Sequence, residues 1–195
     1  ESNLMKPIAI FGREFSKEYY TGVTAFFKLL DERQIDYKVY GSFSKFIEQA
    51  LEIDTTKFKT FSEKNFDASQ FEFLISLGGD GTMLEATTLV KDSELPMLGI
   101  NTGRLGFLSS IRLDQIEDAM DQLLDSAYMI DSRSVIKVET DANLFGEQNF
   151  ALNELTLHKK DTQSMIVIQA YVDGKFLNTY WADGLIIATP TGSTA

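Results

Sequence analysis

The chain has 195 residues, 44% of them hydrophobic and 24% charged, which indicates a folded protein with one domain and part of a second. It contains no cysteine, which excludes disulfides and thiolate metal sites, and no apolar run is long enough to span a membrane. The net charge of −11 and the lack of a signal peptide predict a cytoplasmic protein that binds neither nucleic acid nor membranes.

The first part of the chain, residues 1–132, alternates apolar runs with amphipathic stretches. Buried strands are predicted at residues 6–12, 37–40, 71–77 and 96–101. Helices are predicted at residues 18–34, 45–53, 82–90 and 113–124, and in 18–34 apolar residues recur three or four positions apart. This alternation predicts an α/β domain with a mostly parallel sheet and helical connections.

From residue 133 onwards the pattern changes to one strand after another. Strands are predicted at residues 134–140, 150–157, 165–172, 176–181 and 185–188. Asp173 and Gly174 form a two-residue hairpin signal, and apolar residues on both faces of 165–172 predict a strand covered on both sides. We therefore expect a second, all-β domain of sandwich type at residues 133–195.

A glycine-rich segment at residues 78–82, GGDGT, follows a predicted strand and opens a predicted helix. Glycine permits positive φ and a close approach of a ligand to the backbone, and a helix N-terminus favours an anion. Main-chain groups and a divalent cation can thus hold phosphate in a chain with a negative net charge. At a strand end, Asp80 can orient a hydroxyl, accept its proton or contact Mg²⁺ through water.

Taken alone, this segment also fits a tight turn with aspartate as a helix cap. It is not a Walker A loop, since GxxxxGK[ST] is absent from the chain, and the GxGxxG fingerprint of dinucleotide-binding folds is absent as well. The other segments of the chain decide between these interpretations.

GGDGT resembles a signature shared by NAD kinases, diacylglycerol-type lipid kinases and 6-phosphofructokinases. Three further segments resemble NAD kinases in particular, in the order of that family. They are NTGRLGFL at 101–108, the Asn153-Glu154 pair, and DGLIIATPTGSTA at 183–195. The resemblance implies a two-domain NAD kinase whose β domain is incomplete here, because the chain is truncated on its C-terminal side.

The resemblance implies phosphorylation of the 2′-hydroxyl of the adenosine ribose of NAD, which gives NADP. ATP or polyphosphate would be the donor, with Mg²⁺ or another divalent cation, and Asp80 would be the catalytic residue. No metal ligand is assigned, and a homo-oligomer, dimer or tetramer, is expected. The implied nucleotide-binding residues are Gly78, Gly79, Gly81, Thr82, Asn153, Glu154, Ser164, Trp181, Asp183, Thr191, Thr194 and Ala195.

Two of these positions depart from the common family pattern. Trp181 stands where many relatives carry Arg or Lys, and its ring can either stack on a nucleotide base or pack half-buried in the β domain. Ser164 stands where some relatives have a histidine and would reach a nucleotide only through water. His158 is the single histidine, and we expect no catalytic role for it.

Two alternative functions stay open at this point. A diacylglycerol-type lipid kinase would need an apolar or basic membrane-facing surface, which the net charge of −11 does not favour. A regulatory module that binds NAD(H) without turnover would have the same nucleotide residues and differ only in activity.

Overall fold

A computed structural model describes residues 5–104, 106–146, 148–160 and 164–194 of the chain. The chain divides into two compact units, Glu1–Asp131 and Ser132–Ala195, called the N-terminal and C-terminal units below. The predicted nucleotide-binding residue Ala195 lies outside the described residues.

One parallel sheet organises the described part of the N-terminal unit. Its strands are β1 (Ile8–Gly12), β2 (Tyr37–Tyr40), β3 (Lys59–Phe61), β4 (Leu74–Leu77), β5 (Met97–Asn101) and β6 (Ile111–Arg112). They lie in the order β3-β2-β1-β4-β5-β6, and each neighbouring pair is parallel. The prediction of an α/β domain with a mostly parallel sheet is confirmed. The sequence does not predict β3 or β6, because these edge strands have three and two residues and are too short to show a periodic apolar pattern.

Helices connect these strands. They are α1 (Tyr20–Glu32), α2 (Gly41–Leu51), α3 (Asp80–Val90) and α4 (Ile116–Leu124), with 3-10 turns at Lys17–Tyr19, Ala68–Gln70 and Leu113–Gln115. Helix α2 begins four residues before its predicted start, because Phe43 and Ile47, one turn apart, are both buried. Helix α3 begins two residues early, at Asp80 itself.

The hydrophobic core belongs to the N-terminal unit. Helix α1 buries Val23, Phe26, Phe27 and Leu30, whose spacing places them on one face of the helix. In the sheet, β1 and β4 are buried along their whole length. Among the described residues, every buried apolar side chain lies between positions 8 and 120.

The C-terminal unit consists of strands paired two by two. They are β7 (Ile136–Lys137), β8 (Phe150–Ala151), β9 (Glu154–His158), β10 (Ile166–Val172), β11 (Lys175–Ala182) and β12 (Gly184–Ala188). The pairs β7–β8, β9–β12 and β10–β11 are all antiparallel, which confirms a strand-rich second part. The predicted hairpin forms, since Asp173 and Gly174 between β10 and β11 both have positive φ, at 49° and 75°.

One expectation for this unit is wrong. Strand β10 pairs with β11, but it is not covered on both sides: Ile166, Ile168 and Ala170 on one face are half-buried, whereas Val167 and Tyr171 on the other are 52% and 58% exposed. No second layer of described residues buries either face, so the alternation of apolar residues predicts the strand correctly and its surroundings incorrectly.

In the described part of the chain, none of the helices combines the length and the apolar character that crossing a bilayer requires.

The core makes a first testable prediction. Phe26 is fully buried on α1, so Phe26→Ala removes its contacts and leaves a cavity, and we expect the free energy of unfolding to fall by about 3–5 kcal/mol. Met129→Ala is the control in the same unit, because Met129 is 97% exposed and its loss should cost under about 0.5 kcal/mol. Urea unfolding measures both, and equal losses would contradict the core described above.

Candidate active site

The strand order places the GGDGT segment at the point where ligands bind in open α/β sheets. The order reverses between β1 and β4, because the chain adds β2 and β3 on one side of β1 and β4 to β6 on the other. In such sheets the crevice lies outside the carboxyl ends of the strands at this reversal. Residues 78–82 follow β4 directly, so they border that crevice.

The sequence suggests positive φ for the glycines of this segment, but none of the three has it. An added Cβ at Gly78 would lie 2.1 Å from Oγ1 of Thr82, so glycine here makes room for that threonine. At Gly79 and Gly81 an added Cβ would meet nothing within 4 Å. These two positions therefore present bare backbone at the N-terminus of α3, which leaves space for a ligand.

Asp80 is the first residue of α3, and its carboxylate is held by backbone groups from another part of the chain. Oδ2 accepts from the N–H of Phe107 at 2.8 Å, while Oδ1 accepts from the N–H groups of Leu108 at 2.9 Å and Ser109 at 3.0 Å. We call residues 106–109 the cradle loop. The loop fixes the orientation of the carboxylate at the crevice.

These contacts also determine the charge state of Asp80. Burial raises the pKa of this carboxyl, but the hydrogen bonds from Ser109, Phe107 and Leu108 outweigh it and bring the pKa below its usual value. Asp80 is consequently an ionised hydrogen-bond acceptor at neutral pH. It is well suited to orient a hydroxyl and is a weak base.

Asn101, the last residue of β5, holds the segment that leads into the cradle loop. Its side-chain Nδ2 donates to the carbonyl oxygens of Arg104 at 2.7 Å and Ser109 at 3.1 Å, and its Oδ1 accepts from the N–H of Gly103 at 2.7 Å. Asn101 is 5% exposed. A single buried amide thus ties the end of β5 to the residues before the cradle loop and to its last residue, Ser109.

In the C-terminal unit, Asn153 and Glu154 lie at one end of the β9–β12 ladder. Glu154 opens β9 and pairs with Ala188, whereas Asn153 precedes the strand. The backbone oxygen of Asn153 accepts from the N–H of Thr189 at 2.9 Å and from its Oγ1 at 3.2 Å. An added Cβ at Gly192 would lie 2.4 Å from this oxygen, so glycine lets the turn after β12 approach Asn153 closely.

Asp183 lies at the other end of the same ladder. Its carboxylate contacts Nζ of Lys159 at 2.6 Å, and its backbone oxygen accepts from the N–H of Lys159 at 2.9 Å. The hydrogen bond from Lys159 and the attraction of its ammonium group hold the pKa of Asp183 below its usual value. A polar ligand group at Asp183 would therefore meet a carboxylate and an ammonium group together.

The remaining predicted residues are mostly open to solvent. Trp181 is 67% exposed on β11, so its ring is not packed in the interior of the C-terminal unit. Ser164 and Thr194 are exposed, and Thr191 accepts a hydrogen bond from Arg133 at 3.4 Å. His158 ends β9 with its Nδ1 2.7 Å from the Lys159 carbonyl oxygen.

The N-terminal unit gathers the predicted residues 78–82 at one strand end, whereas those of the C-terminal unit lie apart, with Asn153 and Asp183 at opposite ends of one ladder. In both units several positioning groups escape prediction. Asn101 and Gly106 lie inside the quoted NTGRLGFL segment but carry no signal for their individual roles. Thr189 is 5% exposed and appears only as one threonine in the long C-terminal block. Lys159 has no pattern that marks it as a partner of Asp183.

The role of Asn101 predicts the effect of a near-isosteric change. Asn101→Asp keeps the acceptor for Gly103 but replaces the donor to two carbonyl oxygens with a carboxylate oxygen, so we expect a loss of about 1–3 kcal/mol in unfolding free energy. Asn65→Asp is the matched control, because within the described part of the chain the Asn65 side chain makes hydrogen bonds through its Oδ1 alone, which accepts from Ser62. Urea unfolding measures the free energy of unfolding of both variants. A larger loss in Asn65→Asp than in Asn101→Asp would contradict this role of Asn101.

Thr189 predicts a local effect in the C-terminal unit. Its Oγ1 donates to the Leu152 carbonyl oxygen and accepts from the N–H of Gly192, so Thr189→Val should speed hydrogen exchange of the Gly192 amide. Thr189→Ser keeps the hydroxyl and should leave that exchange rate near the unmodified value. Equal exchange in the valine and serine variants would rule out the hydroxyl as the group that holds this turn.

Two family profiles match the chain. The profile of the ATP-NAD kinase N-terminal domain matches residues 8–128, and that of the ATP-NAD kinase C-terminal domain matches residues 152–195. The predicted resemblance to NAD kinases is thereby confirmed over most of the chain.

Curated relatives agree with the profiles. NAD kinases from Cytophaga hutchinsonii and Flavobacterium psychrophilum are 41% and 42% identical to the chain over 186 and 189 residues. These alignments cover 95% and 96% of this chain and 63% and 64% of the two relatives. The chain therefore spans less than two thirds of the length of these relatives.

Two solved structures share the fold. A yeast NADH kinase complexed with NADH has a TM-score of 0.80 at 24% identity and is matched over 100% of this chain and 60% of its own. An NAD kinase from Archaeoglobus fulgidus in complex with ATP has a TM-score of 0.67 at 23% identity, over 97% and 63%. With the fold shared and with profiles and curated relatives in agreement, the chain belongs to the NAD kinase family.

Proposed function

We propose that the protein is an NAD kinase that transfers a phosphoryl group from ATP or polyphosphate to the 2′-hydroxyl of the adenosine ribose of NAD. The observation that carries the proposal is the Asp80 carboxylate, which is ionised, oriented by three backbone N–H groups and located at the crevice of the sheet. Membership of the NAD kinase family supports the choice of substrate.

In the proposed reaction, Asp80 accepts a hydrogen bond from the 2′-hydroxyl and holds its oxygen in line with the donor's terminal phosphorus. The new O–P bond forms as the bond from that phosphorus to the leaving phosphate oxygen breaks. Such transfers have loose transition states, so the hydroxyl proton leaves late, to the carboxylate and then to solvent. The lowered pKa of Asp80 fits a role in orientation better than one in early proton removal.

The donor phosphates would lie against the backbone at the start of α3. Gly79 and Gly81 leave this surface open, and Gly78 with Thr82 closes the turn behind it. The N–H groups at a helix N-terminus favour an anion there, which suits a chain with a net charge of −11.

A divalent cation would arrive with the donor. The described residues contain no group of three His, Cys, Asp or Glu side chains that could hold a metal ion. Mg²⁺ commonly keeps several waters and binds through substrate phosphates with one or two carboxylates, so the carboxylate of Asp80 fits a contact through water. When bound, the cation would neutralise charge on the phosphates.

The C-terminal unit carries its own residues proposed to bind nucleotide. Asn153 offers an amide for the adenine edge and Glu154 an acceptor for ribose hydroxyls, while Asp183 would bind at the nicotinamide end. Asn153 and Asp183 flank opposite ends of a five-residue ladder, so the two positions lie about 20 Å apart and a ligand that reaches both is elongated. The other residues proposed to contact nucleotide are Ser164, Trp181, Thr191, Thr194 and Ala195.

The proposal extends to the domain organisation, cellular location and oligomeric state of the enzyme. We infer a domain carrying the GGDGT segment at residues 1–132, a nucleotide-binding domain at 133–195, and a cytoplasmic enzyme of NADP biosynthesis. Exposed apolar side chains on β10 and β11, among them Tyr171 and Phe176 at 58% each, support a homo-oligomer, dimer or tetramer.

One assay separates the candidate functions. The protein is incubated with NAD and Mg-ATP, and separately with NAD and polyphosphate, and NADP is measured. NADP from either donor supports the proposal and identifies that donor. Phosphorylated diacylglycerol without NADP would replace the proposal with a lipid kinase, and NAD binding without any product would replace it with a binding module.

The role of Asp80 predicts the result of a single substitution. Asp80→Asn should lower turnover by on the order of 10² or more, while the dissociation constant for NAD changes by less than about tenfold. Asp118→Asn removes one exposed carboxylate of α4 and is the matched control, with turnover unchanged. Steady-state kinetics and NAD titration measure both quantities, and wild-type turnover in Asp80→Asn would remove this residue from the mechanism.

A further inference from the structure

Gly106 lies directly against the Asp80 carboxylate. An added Cβ at Gly106 would be 2.1 Å from Oδ1, 2.3 Å from Cγ and 2.5 Å from Oδ2 of Asp80. Each distance is far inside van der Waals contact, so no side chain fits at position 106 while the carboxylate stays where it is. Gly106 also begins the cradle loop, whose next three N–H groups bind the same carboxylate.

The backbone at Gly106 does not require glycine for its conformation. Its φ lies outside the left-handed region, in contrast to Gly146 and Gly174, with φ of 54° and 75°. Gly103, three residues earlier, also has no positive φ, and an added Cβ there would meet nothing within 4 Å. The two glycines therefore differ in the space beside them: the Asp80 carboxylate fills it at Gly106, and it is open at Gly103.

The three N–H groups leave the two carboxylate oxygens unequal. A carboxylate offers about four lone-pair directions, two on each oxygen. Among the described residues, Oδ1 accepts from both Leu108 and Ser109, whereas Oδ2 accepts from Phe107 alone. Oδ2 is thus the oxygen with an acceptor direction left for a ligand.

We propose that Gly106 is a positioning residue for Asp80: its missing side chain lets the cradle loop close on the carboxylate, saturate Oδ1 and present Oδ2 to the substrate hydroxyl. This inference rests on the proposed function for the identity of that hydroxyl. The packing of Gly106 against Asp80 does not depend on the substrate.

An alanine at position 106 forces the carboxylate or the loop to move by about 1 Å, because non-bonded carbon and oxygen atoms need more than 3 Å. A displacement of that size in a positioning contact costs on the order of 10² in rate. We therefore expect Gly106→Ala to lower kcat by about 10²-fold and to change the KM for NAD by less than about threefold. Gly103→Ala, the matched control, should leave kcat unchanged.

A second readout reports on the carboxylate itself. Among the described residues, no charged side chain contributes to the pKa shift of Asp80, which comes from burial and the three backbone N–H groups. Loss of those hydrogen bonds in Gly106→Ala should raise the pKa of Asp80, and Gly103→Ala should leave it in place. A ¹³C NMR titration of the aspartate carboxyls measures this, with Asp80→Asn to assign the signal.

A thermodynamic cycle keeps the inference testable if Gly106→Ala is unstable. In an Asp80→Ala background the clash partner is gone, so adding Gly106→Ala should cause no further fall in melting temperature. An equal fall with and without the Asp80 side chain would overturn the inference, as would an unchanged kcat and an unchanged pKa of Asp80 in Gly106→Ala.

The two proposals fail in different ways. If the unmodified protein makes no NADP, the proposed function fails, while the titration and the melting cycle still decide the role of Gly106. If NADP forms and Gly106→Ala behaves like Gly103→Ala, the function stands and the role of Gly106 is rejected.

Discussion

The candidate active site in the N-terminal unit depends on the contact between one carboxylate and three consecutive backbone N–H groups. The side chain of Asp80 comes from the first turn of α3, and its partners, Phe107 to Ser109, come from the segment after β5. The contact therefore joins the ends of two neighbouring strands at the crevice of the sheet. It also stabilises the charged form of the carboxylate, so the group that holds the two segments together is the group proposed to hold the substrate.

The same arrangement restricts which residue types can occupy the neighbouring positions. Asn101 must donate to the carbonyl oxygens of Arg104 and Ser109, Gly106 must lack a side chain, and Gly78 must leave room for Thr82. None of these residues is assigned to react with a ligand. They form the surroundings that give Asp80 one orientation, and an oriented acceptor is what a phosphoryl transfer with little covalent participation by the protein requires.

The sequence predicts elements well where local spacing reflects burial. Helix α1 is visible from Val23, Phe26 and Leu30, and the hairpin is visible from Asp173 and Gly174, because both patterns lie within a few residues. Strands β3 and β6 leave no such pattern, since these sheet-edge strands have only three and two residues. The exposure of β10 depends on whether another layer packs on it. A local sequence pattern does not contain that information.

The candidate site is predictable to the level of its motifs and no further. Asp80 and Asn153 stand out because their segments resemble a family, but the partners of Asp80 are 27 to 29 residues away in the chain. The sequence predicts positive φ for the glycines of GGDGT, whereas the structure shows that Gly78 makes room for the side chain of Thr82. Steric reasons of this kind depend on tertiary contacts, so they become visible only when both partners are placed.

The location of the core has a consequence for the heat capacity of unfolding. Heat capacity rises on unfolding mainly because buried apolar surface becomes hydrated. Since the buried apolar side chains among the described residues all lie between positions 8 and 120, the larger share of that increase comes from the N-terminal unit. The stability of the C-terminal unit then curves less with temperature than that of the N-terminal unit. Cooling therefore affects the surroundings of Asp80 and those of Asn153 differently, although both belong to one chain.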